Sequence, residues 1–190
     1  MKSERLVIEN PTSGERIILL RTAAETGGAL LQFELFLAPG GHVPSAHVHP
    51  EQEERFTVLE GRMRFRLGIH VVFAGPGETV TVGAGTAHRF SNVGPGPAHL
   101  LVEVRPALNM EELLETAAAL SSAGHRIRGG LPRPLDLALF LSEFEREVKV
   151  PVVPGFLVSA MTGALTRLAR WRGMDARYRR LREARSGRGG

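Results

Sequence analysis

Gly41-His42-Val43-Pro44-Ser45-Ala46-His47-Val48-His49-Pro50-Glu51-Gln52-Glu53-Glu54-Arg55-Phe56-Thr57-Val58-Leu59-Glu60-Gly61 is the stretch on which the fold turns. Side chains along a strand alternate between two faces, so His47 and His49 project to the same side and can share one cation. Three carboxylates follow, Glu51, Glu53 and Glu54. In an unbroken strand, parity would select Glu53 for the histidine face. Pro50 interrupts the strand, so parity is not carried across it. Glu54, Phe56 and Val58 then share one inward face that runs on to Gly61. Glu54 and Glu53 both stand as candidates for a third ligand.

Downstream lies a second informative stretch, Gly77-Glu78-Thr79-Val80-Thr81-Val82-Gly83-Ala84-Gly85-Thr86-Ala87-His88-Arg89-Phe90-Ser91-Asn92. Together the two resemble the paired motifs of the cupin superfamily. The first, G-x5-H-x-H-x4-E-x6-G, is matched at every fixed position. The second, G-x5-P-x-G-x2-H-x3-N, has one departure, Gly83 in place of proline. Proline there preorganises a turn, so its loss loosens backbone without touching a ligand. The resemblance implies a mainly β fold, the double-stranded β-helix or jelly-roll barrel, similar to the quercetinase-type metal cupins. Carried over by position, it implies His47, His49, Glu54 and His88 as ligands of one divalent metal ion (Fe, Mn, Ni, Co, Cu or Zn). Three imidazoles and a carboxylate suit any of these ions and leave one or two positions open for water or substrate. Glu54 is then also the candidate catalytic base, should it detach from the metal.

Cupins resembling this one include dioxygenases, sugar isomerases and epimerases, decarboxylases and non-enzymatic ligand sensors, so the barrel by itself names no reaction. The first expectation is a metal-dependent, dioxygenase-like oxidoreductase acting on a small organic molecule. The alternatives are a small-molecule-binding cupin without turnover and a metal-dependent isomerase or decarboxylase. Gln52, Phe56, Phe65, Phe90 and Glu103 lie near the motifs and are candidate substrate contacts in the barrel mouth, where small ligands commonly bind. For the three phenylalanines ordinary core is the competing assignment, and for Gln52 a solvated loop. His42, His70, His99 and His125 read as structural or solvated.

Outward from the motifs, short β segments fill the chain up to Pro106: Arg16 to Leu20, Leu30 to Leu37, Arg55 to Leu59, Met63 to Leu67, Glu78 to Val82, His88 to Asn92 and His99 to Arg105. Glycine and proline turns punctuate them, the pattern of an all-β sandwich or barrel. After Pro106 the period becomes helical. Asn109 with Glu112 predicts a capping box for a helix ending near Gly124. A second helix is expected with Leu137, Phe140, Leu141, Phe144 and Val148 on its apolar stripe. A third is expected from Gly155 to Trp171, a fourth from Asp175 to Arg185, and a loose tail from Ser186 to Gly190. The domain reading is thus a barrel over 1–106 and a C-terminal α-helical extension over 107–190.

Bulk properties narrow the classes. The 190 residues are 43% hydrophobic and 23% charged, a globular composition. There is no cysteine, so thiolate metal sites and disulfides are excluded and any metal must use histidine and carboxylate. The first ten residues lack the apolar run and cleavage site of a secretory signal, so a cytoplasmic location is expected. Nine arginines fall between Arg167 and Arg188 against Asp175 and Glu183. Only two of the 24 basic residues are lysine, Lys2 and Lys149, so arginine is general to the chain and no nucleic-acid partner is inferred. The partners expected are a small-molecule ligand or substrate and a second copy of the chain in a homodimer. The run Val152 to Leu165, followed by Arg167, Arg170 and Arg172, is compatible with peripheral contact to an anionic membrane. Packing of that run on the barrel or on a partner subunit is the favoured expectation, because apolar stripes at helical spacing usually serve packing.

Overall fold

Alternation of apolar and polar residues decides most of the architecture. The computed structural model describes residues 5–43, 45–124, 133–151, 155–176 and 178–180, with backbone alone for 155–161. Nine strands come first: β1 (Val7–Asn10), β2 (Glu15–Arg21), β3 (Leu31–Leu37), β4 (Glu53–Glu60), β5 (Met63–Leu67), β6 (His70–Ala74), β7 (Thr79–Val82), β8 (His88–Asn92) and β9 (Ala98–Arg105). Among the described residues, helices α1 (Met110–Ser122), α2 (Pro134–Glu143) and α3 (Gly155–Trp171) follow, and 174–176 and 178–180 are also helical. All named strand pairs are antiparallel. A six-stranded sheet runs β1-β2-β3-β9-β4-β7 and a three-stranded sheet runs β6-β5-β8. The histidine segment extends the smaller sheet, because His42 bridges to Ser91 and His47 to His88.

The sheets face one another across a core supplied by the inward residue of each alternating pair. On the larger sheet these include Phe33 and Leu35 of β3, Phe56 and Val58 of β4, and Leu100, Val102 and Val104 of β9. The smaller sheet answers with Met63 and Phe65 of β5 and Phe90 of β8. Three rings join the layers: Phe56 lies 5.3 Å from Phe65 and 5.2 Å from Phe90 between centroids, in tilted pairs. Such aromatic pairs contribute roughly 0.5–1.5 kcal/mol each beyond the area they bury. This is the jelly-roll barrel, with its core in register with the motif strands.

Motif residues other than the candidate ligands have structural duties. Gly61 has φ +87°, and a Cβ there would lie 2.8 Å from both Cα and Cβ of Ala98. Only glycine fits that close approach of two backbones. Asn92 is buried, its Nδ2 donating to the carbonyls of Leu37 (3.2 Å), Ala38 (3.1 Å) and Gly96 (2.8 Å) while its Oδ1 accepts from the Gly94 N–H. It staples two separate stretches of backbone, 37–38 and 94–96, and its own buried amide is satisfied in doing so.

The structure departs from the sequence reading in several places. β1 and β6 carry no expected segment. β6 is an edge strand with Val71, Val72 and Phe73 all exposed, so it shows no alternation to detect. Asn109 does precede α1, but its side chain makes no cap hydrogen bond, so the expected capping box is absent. The second helix stops at Glu143, where the Phe144 N–H closes on the Phe140 carbonyl. Val148, placed on that helix by periodicity, lies beyond it. α3 matches its expected span and packs on α2, with the Thr166 hydroxyl donating to the Ala138 carbonyl at 3.3 Å. Among the described residues no helix is long and apolar enough to cross a membrane. His125, Val152 to Pro154, the end of the expected fourth helix and the tail Ser186 to Gly190 lie outside the described residues.

Candidate metal centre and its cavity

Each histidine of the candidate set reaches the barrel interior from a different constraint. His47 is fixed by paired backbone hydrogen bonds with His88, 3.0 and 2.8 Å long. The carbonyl of His49 accepts from the Gly85 N–H at 2.8 Å, which ties the first motif to the turn that leads into β8. Glu54 sits on β4 opposite Val82 of β7 and Val104 of β9, at inward parity with Phe56 and Val58. Glu53 is exposed. With the strand restarting at Glu53, parity from Pro50 onward is indeed reset, and of the two glutamates it is Glu54 that faces the histidines.

The donor atoms of His47, His49, Glu54 and His88 all lie within 4.8 Å of one another. The Nε2 of His88 is 2.8 Å from Glu54 Oε2, and that of His49 is 3.3 Å from the same oxygen. The opposite ring nitrogens are all spoken for by main-chain carbonyls. Nδ1 of His47 donates to Ser45 (3.2 Å), that of His88 to Thr86 (3.1 Å) and that of His49 to Glu147. A proton on each Nδ1 leaves the Nε2 lone pair free, the tautomer and aim that a metal-binding imidazole needs. His49 Nε2, His88 Nε2 and Glu54 Oε2 are buried and have no polar partner outside the cluster itself. Groups so placed are costly unless something compensates them. Convergence, tautomer and buried donors with no outside partner therefore all fit a divalent cation.

Electrostatics agree with that chemistry. Burial, with His88 and His49 adjacent, pushes His47 down to about 3, so it is neutral at any ordinary pH. Burial works to raise Glu54, but His49 and His88 outweigh it and hold the carboxyl well below its usual range. Burial works to lower His49, and Glu54 and the Glu147 carbonyl overcome it, so this imidazole sits above the ordinary value of 6.5. A metal must displace that proton. We expect affinity for Zn(II) to fall about tenfold per pH unit as acidity rises through the raised His49 value, with the decline starting above pH ~6.5. Competition with a chromophoric chelator between pH 5.5 and 8.5 measures this, and a flat profile would contradict histidine ligation. Without metal the sign reverses for His49. Its raised value stabilises the fold below its unfolded pKa and is lost as pH rises, whereas the contribution of Glu54 is lost only in strong acid.

The extension belongs to the site, which the sequence reading missed. The Glu147 carbonyl orients His49, and Glu147 itself is 1% exposed. Its Oε1 accepts the Asn109 N–H at the start of α1 (3.1 Å), doing what the expected capping box does not. Two residues on, Lys149 exchanges backbone hydrogen bonds of 2.9 and 2.8 Å with Val48, the residue between the two histidines. The signal in the sequence is Val148-Lys149-Val150 before Pro151, a β-like tripeptide that periodicity absorbs into the preceding helix.

Beside the cluster opens a cavity of about 310 Å³, within the range of small-molecule sites. Barrel residues His47, His49, Glu54, Phe33, Phe56 and Phe90 line one part, and Met110, Leu113, Leu137, Phe140 and Leu141 of α1 and α2 line another. Of the sequence candidates for substrate contact, Phe56 and Phe90 line it. Phe65 does not; it is fully buried core between the sheets. Gln52 is neither a solvated loop residue nor on the cavity. It is 1% exposed, and its Nε2 donates to the carbonyls of Pro106 and Ala107, both at 3.0 Å, fastening the chain where it leaves the barrel. Glu103 lies on the outer face of β9, hydrogen-bonded to Gln32 and Arg105. His42 and His70 are exposed, and His99 stacks on Phe36 at 4.2 Å.

Residues 33–104 match the family model of the cupin domain. No curated protein matches the chain. Among solved structures, the chain is similar to a sugar phosphate isomerase of the cupin superfamily from Silicibacter pomeroyi, 25% identical over 55% of this chain and 71% of that one, with a TM-score of 0.45. It is similar to a polyketide cyclase from Streptomyces resistomycificus, 24% identical over 56% and 75%, TM-score 0.47. A predicted oxalate decarboxylase from Thermotoga maritima is 21% identical over 55% and 94%, TM-score 0.46.

Proposed function

We propose that this chain, a member of the cupin superfamily through residues 33–104, uses its cavity to hold a small, largely apolar organic molecule against a divalent metal ion and oxidises it in a dioxygenase-like reaction. The observation that carries the reading is that a cluster of three imidazoles and one carboxylate presents His47, His49 and Glu54 to a mainly apolar cavity. His47, His49, Glu54 and His88 would hold the ion, which supplies a Lewis-acid centre with open positions for substrate or O₂. The protein's own part is orientation and exclusion of water. Main-chain carbonyls fix the three imidazoles, and aromatic and aliphatic walls from barrel and helices hold the reacting molecule in a dry site. Glu54, held as a carboxylate, is suited to ligation; it gains basicity only by leaving the two imidazoles, since they are what keep its pKa low.

Wall chemistry favours oxidation of an apolar molecule over isomerisation of a phosphorylated sugar. A sugar phosphate needs cationic anchors, and among the described lining residues Lys149 is the only lysine or arginine. Oxygen uptake by Fe(II)- or Ni(II)-loaded protein, with a panel of flavonols, diketones and catechols, tests the reading. We expect substrate-dependent uptake with at least one class, abolished by His47→Ala. Stoichiometric binding of panel members with no uptake by either metal form would instead support a binding protein without turnover.

A further inference from the structure

The cavity has a second carboxyl, which the candidate metal centre does not use. Glu15 opens β2 at inward parity: Ile17 and Leu19, two and four residues on, are buried core, while Arg16 points outward over the Phe36 ring at 5.7 Å. A carboxyl thus stands where the strand pattern calls for an apolar side chain, and it lines the same cavity as His47, His49 and Glu54. Its Oε2 accepts from the hydroxyl of Ser13, which is 2% exposed, and Oε1 has no partner among the described residues. No lysine or arginine forms an ion pair with it among those residues. Thr12 and Ser121, whose hydroxyls meet across β1–β2 and α1, line the cavity as well.

Glu15 is half-buried, and a carboxyl in a mainly apolar wall with no counter-charge depends on hydrogen-bond partners to offset the hydration it loses. Burial raises its pKa and the charge of Glu54 adds to this, while Ser13 and the nearby His42 oppose it. The other titratable groups on the cavity are His47, His49 and Lys149. A polar group facing a cavity in this way is suited to recognition, because a ligand that covers it without pairing it loses affinity.

We infer that Glu15, held by Ser13, is the specificity-determining residue of the cavity: the ligand is a mainly apolar molecule that sets an oxygen donor at the metal and a hydroxyl or amine hydrogen at Glu15 Oε1. This rests on the metal-and-cavity reading above. A purely structural role in the β1–β2 turn would affect stability but not ligand choice.

The test uses the full chain loaded with Zn(II), which is redox-inert, and calorimetric titration with saturated fatty acids of six to twelve carbons and their ω-hydroxy derivatives. In these probes the carboxylate addresses the metal and the hydroxyl addresses Glu15. We expect at least one chain length at which the ω-hydroxy acid binds about tenfold tighter than its parent. Glu15→Leu should remove that preference and Glu15→Gln should retain part of it, with Zn(II) affinity unchanged in both. The inference is overturned if Glu15→Leu keeps the preference, if no chain length shows one, or if the Zn(II)-loaded protein binds neither series. Those outcomes leave the metal reading standing. Failure of the chain to bind Zn(II) at all would remove that reading and this inference together.

Discussion

His49→Ala is expected to weaken Zn(II) binding by more than about 100-fold, since loss of even an outer-shell partner of a ligand typically costs 10–100-fold. The same substitution should also loosen the extension. His49 is 5% exposed, aims Nε2 at Glu54 and donates from Nδ1 to the Glu147 carbonyl. Its ring is therefore both a candidate ligand and a pin between barrel and helices. His47→Ala separates the two roles, because His47 is half-buried and its Nδ1 partner is Ser45, within its own segment. We expect comparable metal loss from both variants, but faster amide exchange at Val48 and Lys149 only for His49→Ala. Equal protection of those amides in the two variants would show that Glu147 orients the ring without depending on it.

Phe65→Ala should destabilise the fold by about 3–5 kcal/mol, the usual cost of emptying a fully buried aromatic site. Phe65 is 0% exposed and its ring meets Phe56 at 5.3 Å and Phe90 at 6.1 Å, so its loss leaves a void where the two sheets join. Urea unfolding of the metal-free protein measures this. Zn(II) stoichiometry of the folded variant should stay at one, because Phe65 lines neither the cluster nor the cavity. A substrate-contacting role would show the reverse, little loss of stability with altered ligand binding.

The contrast between Phe65 and the histidines shows what local sequence can carry. The cluster of His47, His49, Glu54 and His88 was legible because it is written twice in local code. His47 and His49 share a strand face, and the spacing of both stretches resembles a known pair of motifs. The barrel was legible because strands with one buried face must alternate, as Arg62 to Leu67 does. β6 was not, because an edge strand with exposed Val71, Val72 and Phe73 has no buried face to betray it. Which phenylalanine reaches the cavity was equally hidden. Phe56, Phe65 and Phe90 are all inward at the right parity, and only the closure of two sheets decides which two line the open space. Gln52 looked available beside the ligands, yet the chain returning through Pro106 and Ala107 claims it.

The larger omission concerns the extension. Read as helices, residues 107–190 stood apart from the chemistry, and periodicity carried the second helix past its end. In the fold, Glu147 and Lys149 return to the histidine segment, and α1 and α2 supply much of the cavity wall. Contacts between positions about a hundred residues apart leave no local pattern. Glu15 was overlooked for a related reason. One carboxyl in Glu15-Arg16-Ile17-Ile18-Leu19 looks like the solvated start of a strand until its neighbours are known.

His47, His49, Glu54 and His88 are expected to bind one ion together. X-ray absorption at the zinc edge, on full-length protein loaded with one equivalent of Zn(II), tests this most directly. Three imidazoles with nitrogen at about 2.0–2.1 Å, together with oxygen ligands, are predicted. A spectrum with one imidazole or none, or one unaltered by His88→Ala, would contradict it.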